Sequence, residues 1–526
     1  MEKGYISLVL HAHLPFIREP EHDDFLEERW FFEAITDTYI PLLIAFDRLM
    51  SEGVPFRITM DISPSLAAMM QDDLLCARFD RHLDKMISLS EKEIERTRFM
   101  PEFNKLAHMY FNRFSQAKDL FNNRWQRSLI GAFRHVQNAG FLEIITCGAT
   151  HGFLPLLNVH EESVRAQVRT GVDSYRRSFG RNPPGIWLPE CAYYENMDKY
   201  LAEEGIKYFL LETHGILFSR PRPKYGVYSS YFTKNKVAVF GRDAESSKSV
   251  WSSKEGYPGD FNYREYYRDI GFDLDWEYVK DYIAPTGDRV FTGIKYSKIT
   301  GPTDNKQPYD PDKADEVAAA HAGHFLFNRE KQVEYLSSVF DRQPIIVSPY
   351  DAELFGHWWY EGVNFLYYFF KKMHFDQNTI KPITPLEYLN KYPRNQVIAP
   401  SPSTWGHKGY AEVWLNGGND WIYPHLHKAA ELMINLAKHA QPDDPLKYRI
   451  LNQMSRELLL AQSSDWPFIM TMGTFVEFAA NRVVNHLENF YTLYNQYINP
   501  IPQERVVSLI EQKNTVFPGI DFRVFS

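Results

Sequence analysis

Seven short apolar runs punctuate the chain, and each ends in polar or titratable residues. Ile6–Leu10 leads to His11 and His13, Phe56–Met60 to Asp61, and Leu142–Thr146 to Thr150 and His151. Ile186–Leu188 leads to Glu190, Tyr208–Leu211 to Glu212 and His214, Val237–Phe240 to Arg242 and Asp243, and Ile345–Val347 to Asp351. These runs barely alternate, which predicts strands buried on both faces. Helical patterns lie between some of them. Val164, Val168, Val172, Tyr175 and Phe179 share one helix face just ahead of the Glu190 strand. Strand, helix, strand predicts parallel pairing. Polar residues gathered at C-terminal strand ends predict an α/β fold with a barrel of the TIM type, whose site forms at that rim. An open doubly wound sheet is the rival, but no glycine fingerprint for a nucleotide is present.

Three stretches depart from this rhythm. Residues 66–135, with segments such as HLDKMISLSEKEIERTRF, read as a helical insertion after the second strand. Residues 215–262 are rich in Pro, Gly, Ser and Tyr and read as a long loop over the site, with the sixth strand inside it. After about residue 402 the pattern turns helical, as in KAAELMINLAK and VEFAANRVVNHLENFYTLYNQYI. The expected organisation is a catalytic barrel over 1–402 and a helical domain over 403–526. A chain of 526 residues is long enough for both.

Composition narrows the function. A net charge of −9 without a long basic run argues against nucleic acid as the main partner. Cys76, Cys147 and Cys191 form no CxxC or disulfide framework, so a reducing, cytoplasmic setting is expected. The N-terminal apolar run is too short for a signal peptide, and no segment approaches the roughly 20 apolar residues that span a bilayer. Aromatic content is high at 15 %, with 11 Trp and 32 Tyr. Most such rings belong to cores, but aromatic faces are also what pyranose rings stack on.

The chemistry concentrates in PIIVSPYDAELFGHWWYEG (344–362), where an apolar strand ends among Asp351, Glu353, His357, Trp358 and Trp359. Gly185–Glu190 repeats the logic with a second carboxylate. Glycosidic cleavage uses two carboxyl groups, and a barrel would bring Glu190 and Asp351 together. Otherwise each would cap a helix or pair with an arginine. His11 and His13 form an HxH that points two imidazoles the same way, a metal-ligand spacing. His151, His214 or His357 would complete such a site, but no HExxH or Cys/His cluster supports it. In a carbohydrate site the pair would bond sugar hydroxyls and orient the carboxylates. Trp405 and Trp414, in STWGHKGYAEVWLN, read as stacking platforms or as an interdomain plug. Asp465 in AQSSDWPF caps a helix or holds a sugar hydroxyl.

HAHLPF (11–16), GATHGFLP (148–155), WLPECAYY (187–194), YDAELFGHWWYEG (350–362) and SSDWPF (463–468) occur in that order. Together they resemble glycoside hydrolase family 57, over nearly the whole chain. The RPRPKYGVY, YREYYRDIGFDL and STWGHKGYAEVW segments are most similar to those of its 1,4-α-glucan branching enzymes and amylase-type relatives. The resemblance implies an incomplete seven-stranded (β/α)7 barrel, a helical insertion, a C-terminal helical domain and catalysis without metal or cofactor. It implies Glu190 as nucleophile and Asp351 as general acid/base. His11 matches a histidine near the scissile sugar. Trp405, Trp414 and Asp465 match positions lining the glucan groove, and Arg264, Trp276 and Thr474 match in less motif-like segments. His13, His151 and Trp358 complete the expected substrate-binding set. The stretch at about 225–245 matches a loop carrying an acceptor-side tyrosine but is shorter, with Tyr228 or Tyr231 as the candidate. The expected activity is therefore branching of an α-1,4-glucan with substantial hydrolysis. The alternatives are a purely hydrolytic α-amylase, a metal-dependent deacetylase or amidohydrolase, and a non-catalytic glucan-binding protein.

Overall fold

The structure, a computed structural model, describes residues 2–252, 255–283, 287–442 and 444–526. All seven predicted runs are strands: β1 (Gly4–Ala12), β2 (Ile58–Ile62), β3 (Leu142–Cys147), β4 (Gly185–Trp187), β5 (Tyr208–Leu211), β7 (Ala238–Gly241) and β8 (Ile345–Asp351). Two further strands among the described residues do not show as apolar runs: β6 (Tyr231–Phe232) has only two residues, and β9 (Ile380–Pro382) carries the exposed Lys381. The order is β6-β7-β5-β4-β3-β2-β1-β8, with β9 paired to β1, and among the described strands only the β6–β7 pair is antiparallel.

Tyr5 and Val9 of β1 and Ile345 and Val347 of β8 share one buried cluster with Tyr208, Leu210, Ala238 and Phe240 from the other end of the sheet. Only a curled sheet lets its two ends meet this way. The intervening residues Ile6, Leu8, Leu10, Ile58 and Met60 pack outward against helices. Both faces are buried, which is why the runs barely alternate. The seam between β7 and β8 is bridged by the Asp243 N–H, which donates to the Val347 carbonyl at 2.9 Å.

The insertion between β2 and β3 is helical as expected, with Pro64–Met69, Asp73–Arg96, Pro101–Asp119 and Leu129–Asn138. Asp72 caps its longest helix, accepting from the Leu75 N–H at 3.0 Å. Helices Ile422–His439, Pro445–Ala461, Asp465–Met472, Val476–Ile498 and Glu504–Lys513 make up most of the C-terminal region. They dock on the barrel: Arg482 pairs with Glu19, and the Ser464 N–H donates to the His151 carbonyl at 3.0 Å.

The reading of 215–262 as one loop over the site needs correction. The stretch around Tyr225 lies at the opposite end of the barrel, where Tyr225 bonds Asp341, just ahead of β8. Tyr231 is fully buried in β6, its hydroxyl donating to the Gly226 carbonyl. Tyr228 fills the β7–β8 seam. Its carbonyl accepts from Ile345 N–H at 3.0 Å and its hydroxyl donates to Asp243 at 3.1 Å. Neither tyrosine covers the rim. Pro, Gly and Tyr mark irregular backbone but carry no information about which barrel end it occupies. Only the part after β7 reaches the site, through Arg242 and Trp251.

Candidate active site

The register of the parallel strands assembles the rim. His11 of β1 lies level with Asp61 of β2 and with Asp351 of β8. Residues level across parallel strands share a face, so all three point inward. The site is a cavity of about 740 Å³ lined by His11, His13, His151, Glu190, Asp351 and Asp465, with Trp251, Trp358, Trp405 and Trp414 among its walls. The two predicted carboxylates thus open into one chamber.

Glu190 follows β4 in a left-handed conformation, φ 62°, ψ 22°, and Cys191 also has a positive φ of 49°. Such backbone costs about 1–3 kcal/mol per residue and persists where its surroundings hold it. Here the Trp405 N–H donates to the Glu190 carbonyl at 3.1 Å. The Glu190 carboxylate accepts from Trp405 Nε1 at 2.8 Å and from Ser464 Oγ at 3.0 Å. Burial pushes its pKa up to about 7, against the pull of the Trp405 hydrogen bond. Trp405→Phe should keep the ring and lose the donor. Losing a hydrogen bond to a charged oxygen costs about 1.5–3 kcal/mol, so kcat should fall roughly 10- to 100-fold. The acid limb of the pH profile should move to higher pH. An unchanged rate and limb would remove Trp405 from this role.

Asp351 sits differently. Its carboxyl has no hydrogen-bond partner among the described residues. Burial raises its pKa well above the ordinary value, and the neighbouring Glu353 and then Glu190 charges add to this, against Arg242. The Glu353 charge thus contributes more than that of Glu190. Trp359, at the end of the same segment, points into the core against Phe355, Phe365 and Tyr263. One carboxylate that accepts two hydrogen bonds beside one that accepts none is the environment that splits a pair into ionised and protonated members.

The histidines pack as a block. His13 stacks on His151 with centroids 3.9 Å apart and planes 13° apart, and His11 stacks on Trp187 at 4.6 Å. His13 Nε2 lies 3.0 Å from an Asp465 oxygen, and His13 Nδ1 lies 2.8 Å from Ser63 Oγ. Burial pushes Asp465 up, but the His13 charge and hydrogen bond hold it below its ordinary value. His13, His151 and Asp465 offer ligand atoms within 4.8 Å of one another. Yet both His151 nitrogens are engaged, by Ser464 and by His11, and parallel stacked rings do not aim their lone pairs at one point. His214 bonds the Gly409 carbonyl, and His357 bonds Asp37 and Tyr266, so neither joins a cluster with them.

Trp358 is over half exposed (54 %) and stacks on Tyr266 at 4.6 Å, a ready platform at the cavity mouth. Trp414 is buried against Phe153 at 4.5 Å. Gly406 passes so close that an added Cβ would meet the Trp414 ring at 2.6 Å, so only glycine fits. Three expected residues are not brought to the cavity. Arg264 is buried, with its guanidinium 3.9 Å from the Tyr360 ring centroid and donating to the Tyr110 hydroxyl. Trp276 opens a short helix whose Tyr278 carbonyl accepts from Lys92 of the insertion. Thr474 is exposed, two residues past the lining Met472. Segment likeness placed these residues near the groove, but their side chains are spent on packing or solvent. Ser464 and His407 were missed. Ser464 stands next to the flagged Asp465, which was the available signal.

A family model described as glycosyl hydrolase family 57 matches residues 7–327, and one described as 1,4-alpha-glucan branching enzyme, C-terminal, matches residues 425–525. A 1,4-alpha-glucan branching enzyme of Thermococcus kodakarensis is 34 % identical over 97 % of this chain and 76 % of its own. Its crystal structure superposes with a TM-score of 0.89 at 32 % identity, covering 99 % of this chain and 96 % of that one. An alpha-amylase of Thermotoga maritima superposes with a TM-score of 0.93 at 44 % identity, covering 99 % of each chain. These matches run through the strands and loops that build the cavity, and the chain belongs to glycosyl hydrolase family 57.

Proposed function

We propose that this protein is a retaining α-glucan branching enzyme that also hydrolyses its substrate. The observation that carries the reading is the single aromatic-walled cavity into which both Glu190 and Asp351 open. Glu190 attacks C1 of an α-1,4-linked glucosyl unit while Asp351 protonates the departing 4-oxygen. A covalent β-glucosyl-enzyme forms. A 6-hydroxyl of a second chain, or water, then attacks C1 from the other face, with Asp351 taking its proton. Attack by the 6-hydroxyl makes an α-1,6 branch.

Trp358, Trp405 and Trp414 supply apolar walls for the pyranose faces, and His11, His13, His151 and Asp465 the polar contacts. Family membership and the relatives described as branching enzymes support glucan transfer. The likeness to an alpha-amylase favours a hydrolytic share. With Tyr228 and Tyr231 both tied into the fold, neither shields the glycosyl-enzyme from water. We read β1–β5, β7 and β8 as an incomplete (β/α)7 barrel within a catalytic unit at 1–402, followed by a helical unit at 403–526. No described helix is long and apolar enough to cross a membrane, and the three unpaired thiols fit a reducing compartment.

Incubation with amylose, followed by an α-1,6-specific debranching enzyme, tests the assignment. Released side chains together with new reducing ends are expected. Reducing ends without side chains would make the protein an amylase; neither product would refute glucan cleavage.

A further inference from the structure

Five side chains form a continuous hydrogen-bonded file from β2 to Glu190. Asp61 Oδ2 lies 2.5 Å from His11 Nδ1, and His11 Nε2 lies 3.0 Å from His151 Nε2. His151 Nδ1 lies 2.8 Å from Ser464 Oγ, which donates to Glu190 Oε1 at 3.0 Å. The two facing Nε2 atoms can share only one proton, so at least one ring is neutral. Burial and the neighbouring histidines push the pKa of His11 well below its ordinary value, and burial, then His13, does the same to His151. With both rings neutral, the file has two polarities, and the group at its far end selects between them.

That group is Asp61. It is fully buried, and its Oδ1 has no hydrogen-bond partner among the described residues. The titratable groups facing it are His11, Glu353, Cys147 and Tyr39. No permanent cation is among them, and burial followed by the Glu353 charge raises its pKa well above the ordinary value. A proton on Oδ2 donates to His11 Nδ1. His11 then carries its hydrogen on Nε2 and donates to His151 Nε2. His151 carries its hydrogen on Nδ1 and donates to Ser464, whose hydroxyl turns toward Glu190. An ionised Asp61 would reverse every bond and turn the Ser464 hydroxyl away from the carboxylate.

We propose that protonated Asp61 is a positioning residue for the nucleophile: it polarises the Asp61–His11–His151–Ser464 file so that the file ends as a hydrogen-bond donor to Glu190. The role is exerted through three intervening side chains and rests on the reading of Glu190 as nucleophile. Beside the file stand His13 and Asp465, and around Glu190 stand Trp405, Asp351, Cys147 and Cys191. These remain in place in the variants below, so they do not confound the comparison.

The test is the pH dependence of kcat/KM on amylose with the full-length chain. Asp61→Asn keeps a donor facing His11, because the reverse amide orientation would bury two unpartnered N–H groups. It should keep the wild-type acid limb. Asp61→Ala removes the donor, and Ser464→Ala cuts the last link. Each should move the limb upward by roughly 1 pH unit, the equivalent of one lost hydrogen bond to a carboxylate. The Asp61→Ala/Ser464→Ala double variant should shift no further than Ser464→Ala alone. A limb unmoved in a folded Asp61→Ala, or additive shifts in the double variant, would overturn the proposal while leaving the Glu190 assignment standing. Should Asp61→Ala not fold, nitrogen-15 spectra of the wild-type histidines decide. Hydrogen on His11 Nε2 and His151 Nδ1 is expected, and the opposite tautomers would refute the file's polarity.

Discussion

Glu190→Gln should lower kcat on amylose by at least about 10⁴-fold, some 5–6 kcal/mol of transition-state stabilisation, with little change in glucan affinity. The amide occupies the same volume between Trp405 and Ser464 but cannot form the glucosyl ester. Glu190→Gly with azide adds a chemical signature. Azide in the vacated space attacks the face that Glu190 faced and yields a β-glucosyl azide. Full activity in Glu190→Gln, or an α-glucosyl azide from Glu190→Gly, would exclude Glu190 as nucleophile. The same amide should also stabilise the protein. In the fold Glu190 titrates at about 7, against an ordinary 4.5. Below about pH 4.5 the carboxyl is neutral in both states and costs nothing. The penalty grows as pH rises from there to 7, and above that it is roughly 3 kcal/mol. Thermal unfolding at pH 8 should therefore show a higher midpoint for Glu190→Gln than for wild type, with the gain absent at pH 4. An equal gain at both pH values would contradict the burial of an ionised carboxylate.

Asp351→Asn should cost at least about 10³-fold on amylose, because general acid assistance to a poor leaving group is worth roughly 10²–10⁴ and the later base step is lost as well. The leaving group decides how much of this is seen. α-Glucosyl fluoride departs without a proton, so its glucosylation step should be nearly unaffected and the glucosyl-enzyme should accumulate. Azide should then release it as an α-glucosyl azide, the anomer opposite to that from the Glu190 variant. Equal losses on amylose and on the fluoride would mean that Asp351 positions the sugar and does not deliver a proton. In the wild type, burial and the Glu353 and Glu190 charges raise the Asp351 pKa well above its ordinary value. The alkaline limb should thus lie well above the ordinary carboxylate range, and Glu353→Gln should lower it.

The strands were legible because the curled sheet buries both faces, which writes seven uninterrupted apolar runs into the chain. The proposed catalytic pair stands out because each carboxylate ends such a run. What stayed hidden has two physical sources. Side chains that reach the rim from elsewhere, such as Ser464 from the C-terminal helices, leave no trace in the strand pattern. Composition, in turn, does not say which end of a barrel a loop occupies. Tyr228 shows a different limit: likeness to a tyrosine-bearing loop placed it over the site, whereas it fills the β7–β8 seam. Arg264 shows the converse, since a conspicuous residue in a matching segment packs on Tyr360 and donates to Tyr110 of the insertion.

Ser464 and Asp465 enter the rim from the start of the helix Asp465–Met472, more than four hundred residues after His11. A chain ending before residue 464 lacks one of the two side-chain donors to Glu190 and the carboxylate partner of His13. The rim is therefore complete only once the C-terminal helices have been made.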